Sequence, residues 1–148
     1  MRFLLAATMA RYGKDPAKVP PTESHVGRSR ILVVDDDRDH CELLSKMLAL
    51  RRYEVDVALS GPDALALAEH HDYRLALIDY RMPGMNGVEL YSRIRKLRPG
   101  LVGIFLTGYP TIDTVYPAIG AGVERILAKP PDLDELFELV EQYAGEPA

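Results

Sequence analysis

The chain has 148 residues, 47% of them hydrophobic and 27% charged, which is enough for one domain with a buried core and too little for two. Its net charge of −4 divides into +3 over residues 1–28 and −7 over residues 29–148, and so acidic a domain argues against direct nucleic-acid binding, which needs a basic face. The one cysteine, Cys41, cannot form an internal disulfide and favours a reducing compartment, so we expect a cytoplasmic protein.

Residues 1–29 are predicted to form a flexible N-terminal extension. An apolar run from Phe3 to Ala10 follows Arg2, but it is far shorter than the roughly 20 residues of a membrane span. The remainder of the segment is rich in proline and glycine and has little hydrophobic periodicity, which is typical of a tail. We therefore expect no membrane association, with a short cleaved signal peptide as the alternative interpretation.

From Arg30 onward, apolar strand-length runs alternate with helix-length segments five times. Strands are predicted at 30–35, 53–58, 74–79, 101–106 and 123–127. Five helices are predicted. The first, third and fifth span about 38–50, 86–97 and 132–143, the second begins after a Ser60 cap and the fourth after a Thr111 cap. The third and fourth strands are continuously apolar, as central parallel strands are when both faces are covered.

This alternation predicts an α/β fold, a doubly wound parallel sheet of five strands. We assign the domain to residues 30–143 and a C-terminal tail to residues 144–148. Because few residues follow the fifth helix, we expect a stand-alone domain.

Polar side chains follow four of the predicted strands. Asp35 and Asp36 come after the first, Asp79 after the third, Thr107 after the fourth and Lys129 after the fifth. The carboxyl ends of parallel strands open onto one crevice, so these residues are predicted to share a pocket. Three crowded carboxylates repel each other, and a hard cation such as Mg²⁺ removes that repulsion. A carboxylate can also take up a phosphoryl group, so the pocket suits a divalent cation and a phosphoryl group.

The motifs around these residues closely resemble the receiver domain of two-component response regulators. They are Val33–Asp37, Asp79–Gly87, Leu106–Gly108 and Lys129–Pro130, and the resemblance covers residues 30–143. It implies a (βα)5 flavodoxin-like fold. A narrower resemblance, at 106–109 and 112–114, is to receivers of the global redox-response regulators that carry a Fis-like DNA-binding output, although we expect no output domain in this protein.

The resemblance implies a Mg²⁺ site. Asp36 and Asp79 would bind the ion directly and Asp35 through water, and the backbone carbonyl of Arg81 would add a further oxygen.

The resemblance also assigns the phosphoryl chemistry. Asp79 would be the phosphoacceptor, Lys129 would supply the opposing cation, and the Thr107 hydroxyl would reach a phosphoryl oxygen once it is present. Pro130 resembles the family's cis-proline, which would aim the lysine. Apart from phosphorylating itself from a donor and dephosphorylating itself, the protein is expected not to be an enzyme.

Partners follow from the same resemblance. The phosphoryl group would come from a sensor histidine kinase or a histidine phosphotransfer protein, and the signal would pass to a downstream protein target. A homodimer that forms on phosphorylation is a further partner that the resemblance allows.

Two departures from the family pattern keep alternatives open. Ile126 stands where receivers usually carry Tyr or Phe, and Pro117 interrupts the fourth helix at a cost of about 3 kcal/mol. These favour a pseudo-receiver, a protein-interaction module independent of phosphate. The receiver part of a DNA-binding regulator is a second alternative. A haloacid-dehalogenase-type phosphatase is a third, which Arg81 disfavours because such enzymes carry an acid at that position.

Other candidate residues have simpler interpretations. Asp37 and Asp39 are predicted to be acids favoured at a helix start. Cys41 is predicted to have a packing or surface role. Because neighbouring residues point apart on a helix, His70 and His71 are predicted to lie at a surface helix end rather than to bind metal.

Overall fold

The computed structural model describes residues 30–108 and 110–145, which fold as five successive βα units. The strands are β1 (Arg30–Val34), β2 (Glu54–Ala58), β3 (Leu75–Asp79), β4 (Val102–Thr107) and β5 (Arg125–Ala128). The helices are α1 (Arg38–Leu50), α2 (Gly61–His70), α3 (Gly87–Leu97), α4 (Ile112–Ala121) and α5 (Leu133–Ala144). The predicted N-terminal extension and residues 146–148 of the predicted tail lie outside the described residues.

The strands form one parallel sheet in the order β2-β1-β3-β4-β5, which confirms the predicted fold class. The chain winds outward from β1 to β2 and then crosses back to β3 on the other side of β1. The crevice where such a sheet reverses direction is the usual ligand position, and here it lies beyond the carboxyl ends of β1 and β3.

Two apolar layers cover the sheet, because successive side chains of a strand point to opposite faces. Ile31 and Val33 of β1 pack in one layer with residues of α1 and α5. Leu32 and Val34 pack in the other layer with residues of α2, α3 and α4. Every residue of β3 is buried, as the continuous apolar run predicted.

Polar side chains cap the helix starts. Asp37, Ser60, Asn86 and Asp132 each accept a hydrogen bond from the backbone N–H three residues later. The predicted Ser60 cap and the helix-start role of Asp37 are thereby confirmed. Thr111 does occupy the N-cap position of α4, but its hydroxyl lies 3.4 Å from that of Thr114 rather than capping the backbone.

Helix α4 continues through Pro117. Proline has no N–H, so the carbonyl of Asp113, one turn earlier, loses its helical donor. The Tyr80 hydroxyl lies 3.5 Å from that carbonyl, a long hydrogen bond from the residue after β3. The Tyr80 ring also meets Phe105 of β4 edge-on, with 6.0 Å between centroids.

The predicted element bounds agree with the structure to within one residue, except at β5. The prediction that β5 begins at residue 123 is wrong, because Val123 and Glu124 still belong to the turn after α4 and the strand begins at Arg125. Its partner strand explains the difference, since Arg125 is the first residue that pairs in register, with Ile104 of β4. Among the helices of the described residues, none has the length and apolar character that a membrane span requires.

Candidate phosphoacceptor and metal site

Three carboxylates converge at the carboxyl ends of β1 and β3. Oxygens of Asp35, Asp36 and Asp79 lie within 4.8 Å of one another. Asp35 is 3% exposed and Asp79 is 8% exposed, while Asp36 is exposed at the rim. The structure therefore brings together the three acids that the sequence placed at the ends of two different strands. Such a cluster of hard oxygen ligands fits Mg²⁺.

Lys129 reaches into the same pocket from the residue after β5. Its Nζ lies 2.8 Å from Asp35 Oδ2 and 3.4 Å from Asp79 Oδ2. Its backbone N–H donates to the carbonyl of Thr107 at 2.8 Å. The Lys129–Pro130 peptide bond is cis, as the resemblance implied.

Thr107 lies at the end of β4, the strand that pairs with β3, and Arg81 follows Asp79 by two residues. Thr107 is the last residue of β4, is buried, and pairs in register with Ala128, the residue before Lys129. The backbone N–H of Arg81 donates to Asp79 Oδ1 at 3.3 Å. The roles of the Thr107 hydroxyl and of the Arg81 carbonyl stay predictions.

The pKa values of the two buried acids are shifted in opposite directions. Burial alone raises the pKa of Asp35, but hydrogen bonds from Lys129, the Asp37 N–H and His40 outweigh it and lower the pKa to about 2. Burial raises the pKa of Asp79 to about 6; the charge of Lys129 opposes this and the charge of Asp35 adds to it. Asp35 is therefore a permanent anion, whereas Asp79 is poised to exchange its proton near neutral pH.

Lys129 remains charged in this pocket. Burial lowers its pKa, but the hydrogen bond to Asp35 and the charge of Asp79 more than offset burial, so the net shift is upward. A positively charged ammonium therefore lies between the two acids.

Gly87, the first residue of α3, allows the helix to approach the backbone at the end of β3 closely. A Cβ at this position would lie 3.1 Å from the carbonyl oxygen of Asp79 and 3.1 Å from the Cα of Tyr80. The Gly87 N–H donates to the Tyr80 carbonyl at 2.9 Å. The start of α3 thus packs against the backbone of Asp79 and Tyr80, and a side chain at position 87 would push the two segments apart.

The sequence analysis missed His40, which belongs to the pocket. Its Nδ1 lies 2.8 Å from Asp35 Oδ2, the oxygen that Lys129 also contacts. The sequence signal that could have indicated it is a histidine in the first turn of the helix that follows the acid pair. The packing role predicted for Cys41 is confirmed: it is buried, its Sγ donates to the Asp35 carbonyl at 3.3 Å, and burial raises its pKa to about 12.

The remaining candidates lie away from the pocket or at its edge. Asp39 occupies the first turn of α1, which confirms its helix-start role. His70 is exposed at the end of α2 and His71 follows it, as predicted. Ile126 is half-buried and packs against the layer that contains Leu32 and Phe105.

Comparison with known proteins agrees with this geometry. Curated relatives include the transcriptional regulatory protein ZraR of Salmonella typhimurium, 38% identical over 116 residues that make up 78% of this chain and 26% of the relative. This chain therefore spans about a quarter of the length of that relative. An uncharacterized 14.6 kDa protein of Leptolyngbya boryana is 42% identical over 115 residues, covering 76% of this chain and 88% of the relative.

Solved structures match as well. A response regulator receiver domain protein (CheY-like) from Methanospirillum hungatei has a TM-score of 0.76 and 34% identity, covering 80% of this chain and 95% of the other. A response regulator protein from Burkholderia pseudomallei, solved with a phosphorylated aspartic acid, calcium ion and citrate, has a TM-score of 0.72 and 28% identity, covering 80% and 69%. The model of the response regulator receiver domain matches residues 31–141. The chain belongs to the response regulator receiver domain family.

Proposed function

We propose that this domain accepts a phosphoryl group on Asp79 from a phosphohistidine of a sensor histidine kinase or a histidine phosphotransfer protein. The observation that carries the proposal is the pocket itself, in which three carboxylates have oxygens within 4.8 Å of one another and an ammonium lies 3.4 Å from Asp79. A receiver role is the established property of the family to which the chain belongs.

The proposed reaction uses Asp79 as a nucleophile. A carboxylate oxygen of Asp79 attacks phosphorus, the P–N bond of the donor phosphohistidine breaks, and the imidazole leaves with the electron pair of that bond. The product is an acyl phosphate on Asp79. Because burial raises the pKa of Asp79 to about 6, its carboxylate is more basic than a free one while still ionised at pH 7.

Lys129 and Thr107 would contact the oxygens of the phosphoryl group once it is bound to Asp79. The Lys129 ammonium contacts both Asp35 and Asp79, so a modest shift brings it onto a phosphoryl oxygen. Thr107, buried at the end of β4, would offer its hydroxyl to another phosphoryl oxygen. Both contacts depend on the phosphoryl group and would stabilise the phosphorylated conformation.

The residues that would hold Mg²⁺ are Asp36 and Asp79 directly, Asp35 through water, and the Arg81 carbonyl. When bound, the ion would neutralise charge on the phosphoryl oxygens and fix their orientation. The Burkholderia pseudomallei relative, solved with a phosphorylated aspartic acid and a calcium ion, supports a divalent cation beside a phosphoaspartate here. Apart from forming and hydrolysing its own acyl phosphate, the domain is proposed to turn over no substrate.

The output is proposed to be a changed contact with a downstream protein, including a homodimer of the phosphorylated form. The alternative that the chain is the receiver part of a DNA-binding regulator is supported by its match to one part of ZraR. A pseudo-receiver is favoured only by Ile126 and Pro117, against an intact set of acids and lysine. We infer a cytoplasmic location, which the use of a single, buried cysteine supports.

Acetyl phosphate with Mg²⁺ tests the phosphoacceptor. Intact-mass spectrometry should show one added phosphoryl group, which hydroxylamine removes because an acyl phosphate is labile to it. Asp79→Asn should abolish the addition, while Asp39→Asn, an exposed acid on α1, should leave it unchanged. Persistence of the added mass in Asp79→Asn would place the phosphoryl group elsewhere.

A further inference from the structure

His40 is held beside the pocket by the start of α1. Its backbone N–H donates to the N-cap carboxylate of Asp37 at 3.2 Å, which fixes the first turn of the helix. From that position its ring Nδ1 lies 2.8 Å from Asp35 Oδ2. An ionised carboxylate only accepts hydrogen bonds, so Nδ1 carries the hydrogen and donates it.

Asp35 Oδ2 therefore has two donors at the same distance. Lys129 Nζ and His40 Nδ1 each lie 2.8 Å from it, while Oδ1 accepts from the Asp37 N–H at 3.0 Å. The carboxylate is only 3% exposed, so water cannot replace a lost partner readily. Removing both donors would leave Oδ2 of this buried carboxylate without a side-chain donor, which is unfavourable even though Oδ1 keeps the Asp37 N–H.

Of these two donors, only Lys129 is mobile in the proposed reaction. It must shift from Asp35 toward a phosphoryl oxygen on Asp79, whereas His40 sits on a helix turn that is anchored at its cap. We propose that His40 is a positioning residue that holds Asp35 when Lys129 transfers to the phosphoryl group. The inference rests on the proposed function and adds a residue to it.

Loss of His40 should affect the binding of Mg²⁺ and the binding of a phosphoryl mimic differently, although both bind in this pocket. Mg²⁺ alone leaves Lys129 free to stay on Asp35, so loss of the His40 donor should not weaken Mg²⁺ binding, because the negative charge of Asp35 is then less compensated by the protein. A phosphoryl mimic draws Lys129 away, so loss of His40 should then leave Oδ2 without a side-chain donor. A hydrogen bond to a charged group is strong enough for a change of about tenfold in affinity.

Beryllofluoride, a mimic of the phosphoryl group, tests the first part of this scheme. Its affinity is measured at saturating Mg²⁺ by NMR titration, and the affinity for Mg²⁺ alone is measured separately. His40→Leu should weaken beryllofluoride binding about tenfold and leave Mg²⁺ binding equal or tighter. His40→Asn keeps a donor at the same point of the side chain and should restore wild-type affinity. His70→Leu, at the exposed end of α2, is the matched control and should change neither affinity.

A double-mutant cycle with Lys129→Ala tests the transfer itself. Without the lysine no donor leaves Asp35, so His40→Leu should have little further effect on beryllofluoride binding. Full additivity of the two substitutions would overturn the proposal, as would equal beryllofluoride affinity in wild type and His40→Leu. A parallel loss of Mg²⁺ affinity in His40→Leu would assign His40 to pocket folding and also overturn it. If wild type binds no beryllofluoride at all, the proposed function fails instead.

Discussion

If Asp79 binds Mg²⁺ as proposed, protons and Mg²⁺ compete for it, so acidification should weaken metal binding in a defined pH range. Burial raises the pKa of Asp79 from its ordinary value of 3.8 to about 6 in the metal-free protein. Metal ligands must be deprotonated, so a protonated Asp79 has to lose its proton before the ion binds. The affinity for Mg²⁺ is therefore close to its full value at pH 7 and above, and it falls as the pH drops through 6.

The magnitude follows from that pKa. The apparent Kd is multiplied by one plus the ratio of protonated to ionised Asp79, which gives about twofold at pH 6 and about elevenfold at pH 5. Asp35 adds nothing in this range, because donors from Lys129, Asp37 and His40 outweigh its burial and hold its pKa at about 2. An acid of ordinary pKa at position 79 would instead change the Kd by less than about 10% between pH 7 and pH 5.

Isothermal titration calorimetry measures both the Kd and the proton. The chain contains no tryptophan, so the fluorescence of that residue is not available as a probe. Titrations at pH 6 in two buffers with different ionisation enthalpies should show release of about half a proton per Mg²⁺ bound. At pH 7.5 proton release should be nearly absent.

Asp79→Asn is the matched control, because it keeps the shape of the side chain and removes the proton. It should bind Mg²⁺ more weakly, and its Kd should change little between pH 7 and pH 5. A flat Kd in the wild-type protein over that range, with no proton release at pH 6, would refute the raised pKa and the account of Asp79 as a buried acid.

Three further predictions concern the metal and the signal. At ten times its Kd, Mg²⁺ should raise the free energy of unfolding by roughly 1.4 kcal/mol, or about 3–6 °C in Tm, and Asp36→Ala should abolish that shift; an equal shift in both proteins would contradict the site. Beryllofluoride should change amide exchange in residues 107–122 more than in 123–128, because an isoleucine in β5 has no ring hydroxyl to exchange between exposed and buried positions. A larger beryllofluoride response in 123–128 than in 107–122 would overturn this account. In the same assay without ligand, Tyr80→Phe should raise amide exchange in α4, because it removes the hydroxyl that donates to the Asp113 carbonyl. Tyr116→Phe, at an exposed position, should not raise it.

The sequence was sufficient to predict the fold and most of the pocket. Uninterrupted apolar runs at 75–78 and 103–106 indicate strands covered on both faces, and in a parallel sheet the residues after such strands share one edge. Asp79 and Lys129 are therefore brought near each other by topology alone, although fifty residues separate them. This holds because strand direction, rather than any particular side-chain contact, decides which ends meet.

Only the tertiary structure decided how the acids differ. Asp35 and Asp79 look alike in sequence, each an aspartate at the end of an apolar strand, yet the pKa of one is lowered and that of the other is raised. The reason is that a pKa depends on burial and on distances through space to charges and donors. Lys129 lies 2.8 Å from Asp35 and 3.4 Å from Asp79, and His40 donates to Asp35. Strand periodicity contains no information on distances of this kind, which follow from how α1 and the end of β5 pack around the crevice.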